Sequence, residues 1–87
     1  MYKKLSVLIP VYNEKDTILK CVENVLNANT YGMELEIIIS DNNSNDGTKQ
    51  KLQSIKDHRV KILYKEKNTG KGSNLKNALK YATGDII

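Results

Sequence analysis

The run Ile37-Ile38-Ile39-Ser40-Asp41-Asn42-Asn43-Ser44-Asn45-Asp46-Gly47-Thr48 passes without a spacer from residues that pack to residues that bind. A carboxylate, amides and hydroxyls released at the end of an apolar β run are what open α/β sheets use to furnish ligand crevices. A second run does the same upstream: Leu5 to Ile9 is apolar apart from Ser6, and Pro10-Val11-Tyr12-Asn13-Glu14 breaks it. Tyr12 offers an aromatic face to a planar base, Asp41 can accept hydrogen bonds from ring N–H groups, and Glu14 can take ribose hydroxyls. Gly70 and Gly72 let the backbone approach a ligand at the start of a helix, where free N–H groups favour an anion. Lys71 adds a mobile positive charge there. Base, sugar and diphosphate could all be met along one edge of a sheet.

Each residue also has a purely structural reading. Pro10 can end a strand, Tyr12 can cover a sheet edge, and Asp41 and Asp46 can serve turns or helix N-caps. Their joint placement at strand ends is what favours binding.

The elements that must position these groups follow from hydrophobic period, which switches between strand-like and helix-like three times. Lys4–Pro10 reads as a strand, and Asp16–Asn27 as a helix with Ile18, Leu19, Val22, Val25 and Leu26 on its apolar face and Asp16 as cap. Asn29-Thr30-Tyr31-Gly32 is a turn, and Glu34–Ser40 a strand buried on both faces. Asp46 or Thr48 caps a short helix carrying Leu52 and Ile55, and Asp57-His58-Arg59 turns the chain into a third strand, Val60–Tyr64. Lys65–Lys71 is a loop. Ser73 is expected to cap a third helix with Leu75, Ala78, Leu79 and Ala82 on one face, ended by Gly84, and Asp85-Ile86-Ile87 begins a fourth strand. This alternation predicts an α/β fold: a Rossmann-like open parallel sheet with helices on both faces. A stop inside an apolar run is expected of the N-terminal part of a longer protein, cut at the start of its fourth strand.

With 87 residues the chain forms at most one small domain. It contains no run approaching the ~18 apolar residues of a membrane span, and its N-terminus lacks the apolar region of a signal peptide, so a cytoplasmic location is expected. The lone Cys21 sits in a helical apolar pattern and is expected to be a buried structural thiol, and the lone His58 a turn residue. The formal charge of +4 is uneven, with Lys65, Lys67, Lys71, Lys76 and Lys80 crowding the last third. Such a cluster can meet phosphates or can be a solvated helix face. Three motifs fail on position. A dinucleotide fingerprint needs glycine where Leu75 sits, a P-loop needs Ser or Thr where Gly72 sits, and a calcium loop needs a bidentate glutamate where Leu52 sits.

The segments Pro10-Val11-Tyr12-Asn13-Glu14, Asp41 to Thr48, Asn68-Thr69-Gly70-Lys71-Gly72, Leu75-Lys76-Asn77-Ala78 and Gly84-Asp85-Ile86-Ile87 together resemble the family 2 glycosyltransferases, in order and spacing across nearly the whole chain. Within that family they look most like the dolichyl-phosphate mannosyltransferases and bacterial polyprenyl-phosphate sugar transferases. The resemblance implies the N-terminal, nucleotide-binding half of a GT-A fold in an inverting enzyme of bacterial envelope polysaccharide synthesis. The donor would be a UDP- or GDP-linked sugar, and the acceptor a polyprenyl phosphate or glycan.

Carried over by motif position, Pro10, Val11, Tyr12, Glu14, Asp41, Asn43, Gly70, Lys71 and Gly72 would form the nucleotide-sugar site, with Asp41 on the base and Tyr12 stacking on or flanking it. Asn42 stands where the family has a second aspartate, which removes a carboxylate that could hold ribose or metal, and Asn43 stands where it has glycine. Asn43 tolerates left-handed backbone geometry, so the turn can survive. The full enzyme would use a divalent ion, Mg or Mn, but its D-x-D segment and catalytic base lie beyond residue 87. No metal or catalytic residue is therefore expected in this chain, which should be inactive alone and could self-associate through an open sheet edge. The alternatives are a non-catalytic nucleotide-binding module and a basic nucleic-acid-binding domain; the latter lacks aromatics interleaved with the lysines.

Overall fold

The computed structural model describes residues 3–68 and 70–84, without the side chain of Lys71. Six elements follow in order: β1 (Lys4–Val11), α1 (Ile18–Leu26), β2 (Glu34–Asp41), α2 (Thr48–Gln53), β3 (Val60–Tyr64) and α3 (Lys71–Leu79). All described strand pairs are parallel, in the order β1-β2-β3, with Val11 opposite Asp41 and Asp41 opposite Tyr64. The central strand carries the isoleucine run because it alone is covered on every side. Ile37, Ile38 and Ile39 are wholly buried, and their β-branched side chains have the restricted χ1 that suits a pleated, packed surface.

The two faces of the sheet are chemically different. On one, Leu35, Ile37 and Ile39 join Val11 and the inward residues of α1 and α2 (Ile18, Val22, Leu52) in the apolar core. On the other, β1 and β2 present buried Ser6, Glu36 and Ser40 to α3 and the residues after it. The carbonyl and hydroxyl of Ser40 bond Asn74, and that hydroxyl accepts from Asn77 Nδ2 at 3.0 Å. Glu36 pairs with Lys4 Nζ at 2.8 Å and accepts from the Thr83 hydroxyl at 2.6 Å, while the Gly84 N–H reaches Ser6 Oγ at 2.9 Å. These bonds return the chain after α3 to β1. The described chain thus crosses from β1 to β2 to β3 in one direction and then packs α3 back against β1 and β2, on the face opposite α1 and α2.

Several expectations need correction. Asp16 does not cap α1: the helix begins at Ile18, and the Glu14 carbonyl receives the N–H groups of Thr17 and Ile18 at 3.1 and 2.9 Å. Ser73 lies inside α3, whose N-cap is Gly70 at φ 87°, a backbone region open to glycine at little cost. Cys21 is exposed, because Ile18, Val22, Val25 and Leu26 define the inward side of α1 and leave residue 21 on its flank. Leu75 and Leu79 are 44% and 48% exposed, and Asn74 and Ala78 face inward instead. The polar sheet surface beneath α3 selects residues that can satisfy hydroxyls and a carboxylate. β1 and β2 each run one residue further than expected, to Val11 and Asp41. The fourth strand expected at 85–87 lies outside the described residues.

Neither Asp46 nor Thr48 is the N-cap of α2, which is Gly47 at φ 103°, and α3 ends at Leu79 rather than at Gly84. Asp46, just before that N-cap, accepts from the Thr48 N–H at 3.0 Å and from its hydroxyl, and the Thr48 hydroxyl bond holds the Asp46 carboxyl below its ordinary pKa. His58 sits exposed in the turn before β3, where Asp57 accepts three bonds from Arg59 at 2.8–3.0 Å.

The buried Glu36 gives stability a pH dependence. Burial raises its pKa, but the hydrogen bond from Lys4, those from Thr83 and the charge of Lys61 outweigh it and leave the carboxyl below its ordinary 4.5. A depressed folded pKa means that the contribution is complete above the unfolded value and is lost as pH falls through the folded one. The urea midpoint should therefore drop as pH falls below about 4.5, and Glu36→Gln should flatten that drop. Identical slopes for the two proteins would rule the pair out as its source.

Candidate functional site

The register that sets Val11 beside Asp41 brings the next residues, Tyr12 and Asn42, to the same edge, where the Asn42 N–H bonds the Val11 carbonyl at 2.8 Å. Asn13 then turns to φ 53° and ends the strand, and Asn43 does the same for β2 at φ 61°. Both are asparagines, the residue type other than glycine that best accepts this conformation.

Two hydroxyl relays clamp the β1–α1 loop onto the β2–α2 loop. Ser44 Oγ accepts the Asn13 N–H at 2.9 Å and donates to Asp41. Thr48 Oγ1 accepts the Glu14 N–H at 2.9 Å and donates to Asp46. The Asn45 N–H adds a bond to Asn13 Oδ1 at 2.9 Å. Each relay joins a backbone donor of one loop to a carboxylate of the other, so Tyr12 to Glu14 are held where the β2 tip puts them.

A cavity of about 280 Å³ opens at this edge, lined by Pro10, Val11, Tyr12, Glu14, Asn42, Asn68, Gly70 and Asn74. It lies at the carboxyl end of β1, between the β1–α1 loop and the first turn of α3, and Tyr12 is 42% exposed beside it. Asn68 closes one wall: its Oδ1 accepts Asn42 Nδ2 at 2.8 Å and the Gly70 N–H at 3.1 Å.

Of the residues singled out by sequence, Pro10, Val11, Tyr12, Glu14 and Gly70 come together at this cavity. Asp41 does not face it. Asp41 is 0% exposed, and its carboxylate oxygens accept the N–H and hydroxyl of Ser44, the N–H at 3.1 Å. Asp41 is held in an internal contact, because the chain folds back over it within three residues. Asn42 is the polar residue that reaches the cavity from this strand end. Asn43 also lies outside the lining, its Oδ1 accepting Lys49 Nζ at 2.8 Å. Gly72 is exposed in the first turn of α3 away from the lining, and the side chain of Lys71 is outside the described atoms.

Asn42, Asn68 and Asn74 were the lining residues that sequence reading passed over. Signals existed for two of them. Asn68 stands two residues before a glycine, the spacing of an Asx turn, and Asn74 stands four before the inward Ala78.

The described residues do not fit a divalent cation. No group of three or more His, Cys, Asp or Glu side chains among them could hold one, and Asp41, Asp46, Asp57 and Glu36 are already engaged within the fold. Among the same residues no helix is long and apolar enough to cross a membrane.

Residues 6–87 match the model of the family described as Glycosyl transferase family 2. The chain is 34% identical over 87 residues to a GalNAc(5)-diNAcBac-PP-undecaprenol beta-1,3-glucosyltransferase of Campylobacter jejuni, covering 97% of this chain and 28% of that one. It is 35% identical over 83 residues to the UDP-Glc:alpha-D-GlcNAc-diphosphoundecaprenol beta-1,3-glucosyltransferase WfgD of Escherichia coli, covering 95% and 32%. It is 33% identical over 85 residues to a dolichol-phosphate mannosyltransferase of Pyrococcus furiosus, covering 97% and 24%. The chain therefore spans about a quarter to a third of these relatives. In structure it is similar to the mannosyltransferase PcManGT of Pyrobaculum calidifontis, solved with GDP-Man and Mn2+, at a TM-score of 0.75 and 24% identity over 97% of this chain and 25% of that one. That likeness establishes a Rossmann-like GT-A fold, and with the sequence matches it means that the chain belongs to glycosyl transferase family 2.

Proposed function

We propose that this chain is the donor nucleotide-binding part of an inverting, nucleotide-sugar-dependent glycosyltransferase. The observation that carries this reading is the meeting of Tyr12, Glu14, Asn42 and Gly70 in one cavity at the carboxyl end of a parallel sheet. In it, Tyr12 stacks on or flanks the base of a UDP- or GDP-linked sugar, Asn42 supplies a carboxamide beside the base, and Glu14 takes ribose hydroxyls. Gly70 and Gly72 bring the α3 backbone towards the diphosphate, with Lys71 adding charge; Asp41 and Asn43 act by shaping the loop that carries Asn42. The relatives' names support an acceptor linked to a polyprenyl carrier, and hence work at the cytoplasmic face of a membrane. The catalytic base and the divalent ion, Mg or Mn, belong to residues outside this span, so the chain alone transfers no sugar. Among the described residues β1 and β3 form the edges of the sheet, and unpaired edges favour self-association.

Titration of the chain with uridine and guanosine diphosphates, followed by NMR, tests this reading. Binding is expected to shift the amide signals around Tyr12, Asn42 and Gly70. Because base stacking on an aromatic ring contributes about 1–3 kcal/mol, Tyr12→Ala should weaken binding about tenfold or more. Shifts confined to other regions, or unchanged affinity in Tyr12→Ala, would overturn it.

A further inference from the structure

Gly70 lines the cavity, and both of its backbone polar groups are held. Its N–H donates to Asn68 Oδ1 at 3.1 Å, and its carbonyl accepts the Asn74 N–H at 3.1 Å, the bond that closes the first turn of α3. Each of those asparagines is itself tied to the end of β2. Asn68 Oδ1 also accepts Asn42 Nδ2 at 2.8 Å. Asn74 Nδ2 donates to the Ser40 carbonyl at 2.8 Å, and Asn74 Oδ1 accepts the Ser40 hydroxyl. Asn74 is 2% exposed, a place on a helix facing a parallel sheet where an apolar side chain is the ordinary occupant. An apolar residue would fill the space but could not fix the height of the helix along the strand, because apolar contact is non-directional. The amide bonds the β2 main chain itself, so it fixes register.

We propose that Asn74, with Asn68, is a positioning residue for donor binding: the two amides pin Gly70 to the tip of β2 and so hold one wall of the cavity at the spacing the nucleotide needs. This inference rests on the donor-binding reading above. Both anchors join uncharged groups, so the wall is held independently of ionic strength.

The test uses the chain itself, with UDP and GDP as probes and conditions under which circular dichroism shows each variant folded. In Asn74→Ala the Gly70 amide signal should move in the free protein and lose protection against hydrogen exchange, and affinity for the diphosphate that the wild type binds should fall roughly tenfold. Asn68 is exposed and its loss leaves the core intact, so Asn68→Ala provides a second variant should Asn74→Ala fail to fold. It should shift the same Gly70 signal and weaken binding in the same direction. Wild-type binding with unchanged affinity in a folded variant would assign the asparagines a merely structural role and overturn the proposal. No binding of either diphosphate by the wild type would instead overturn the donor-binding reading, and this inference with it.

Discussion

Replacing Ser44 by alanine is expected to destabilise the fold by about 3 kcal/mol, a large effect for one exchange of a hydroxyl for hydrogen. The Ser44 hydroxyl satisfies two groups at once, accepting the Asn13 N–H at 2.9 Å and donating to the Asp41 carboxylate, which is fully buried. Without it, the carboxylate keeps only the Ser44 N–H among these bonds, and the Asn13 N–H loses its partner. A buried charge short of donors is more costly than a neutral group in the same place. The effect of Ser44→Ala should therefore shrink in an Asp41→Asn background, where the side chain is neutral. Urea unfolding of the wild type, both single variants and the double variant gives the coupling. A loss below about 1 kcal/mol for Ser44→Ala, or strict additivity, would mean that the relay does not hold the two loops together.

The second large effect lies beneath the site. Ile38→Ala removes a wholly buried side chain from the middle of the central strand, on the face that carries the Ser40 contacts to α3. Such truncations cost about 2–5 kcal/mol, because the transfer energy of the lost groups is joined by that of the cavity left behind. Ile38 lies between β1 and β3 in register, opposite Leu8 and Lys61, so backbone pairing on both sides resists collapse into the gap. The upper half of that range is expected. A small domain has little stability in reserve, and the variant should be partly unfolded at 37 °C. Denaturant unfolding reads this directly, and a loss under about 1 kcal/mol would show that the strand relaxes into the space. Leu79→Ala, at a 48% exposed position, is the control and should stay within about 0.5 kcal/mol.

Much of this architecture was legible in the chain. The alternation of periods placed six elements within one or two residues at most of their ends, and β3 at both ends. The resemblance carried by the strand-end segments named the family that the comparisons then established. Local rules misplaced the helix starts: α1 begins at Ile18 without a cap from Asp16, α2 takes Gly47 as its N-cap, and α3 takes Gly70 rather than Ser73. Nor do the neighbours of Asp41 in sequence show that Ser44 folds back to seal it.

The amino-acid sequence alone determined the order and type of the elements, the burial of β2 and the gathering of polar groups at the tips of β1 and β2. Those properties arise from period, β-branching and strand adjacency, which are local or follow from simple connection rules. The tertiary structure decided which polar groups turn inwards and which reach the cavity. It exchanged Asp41 for Asn42 at the lining, put Asn74 rather than Leu75 under α3, and joined Asn68 to Asn42. The physical reason is that a hydrogen bond needs a partner at a fixed distance and angle. Those partners lie tens of residues away in the chain, 26 for Asn42 and Asn68 and 34 for Ser40 and Asn74.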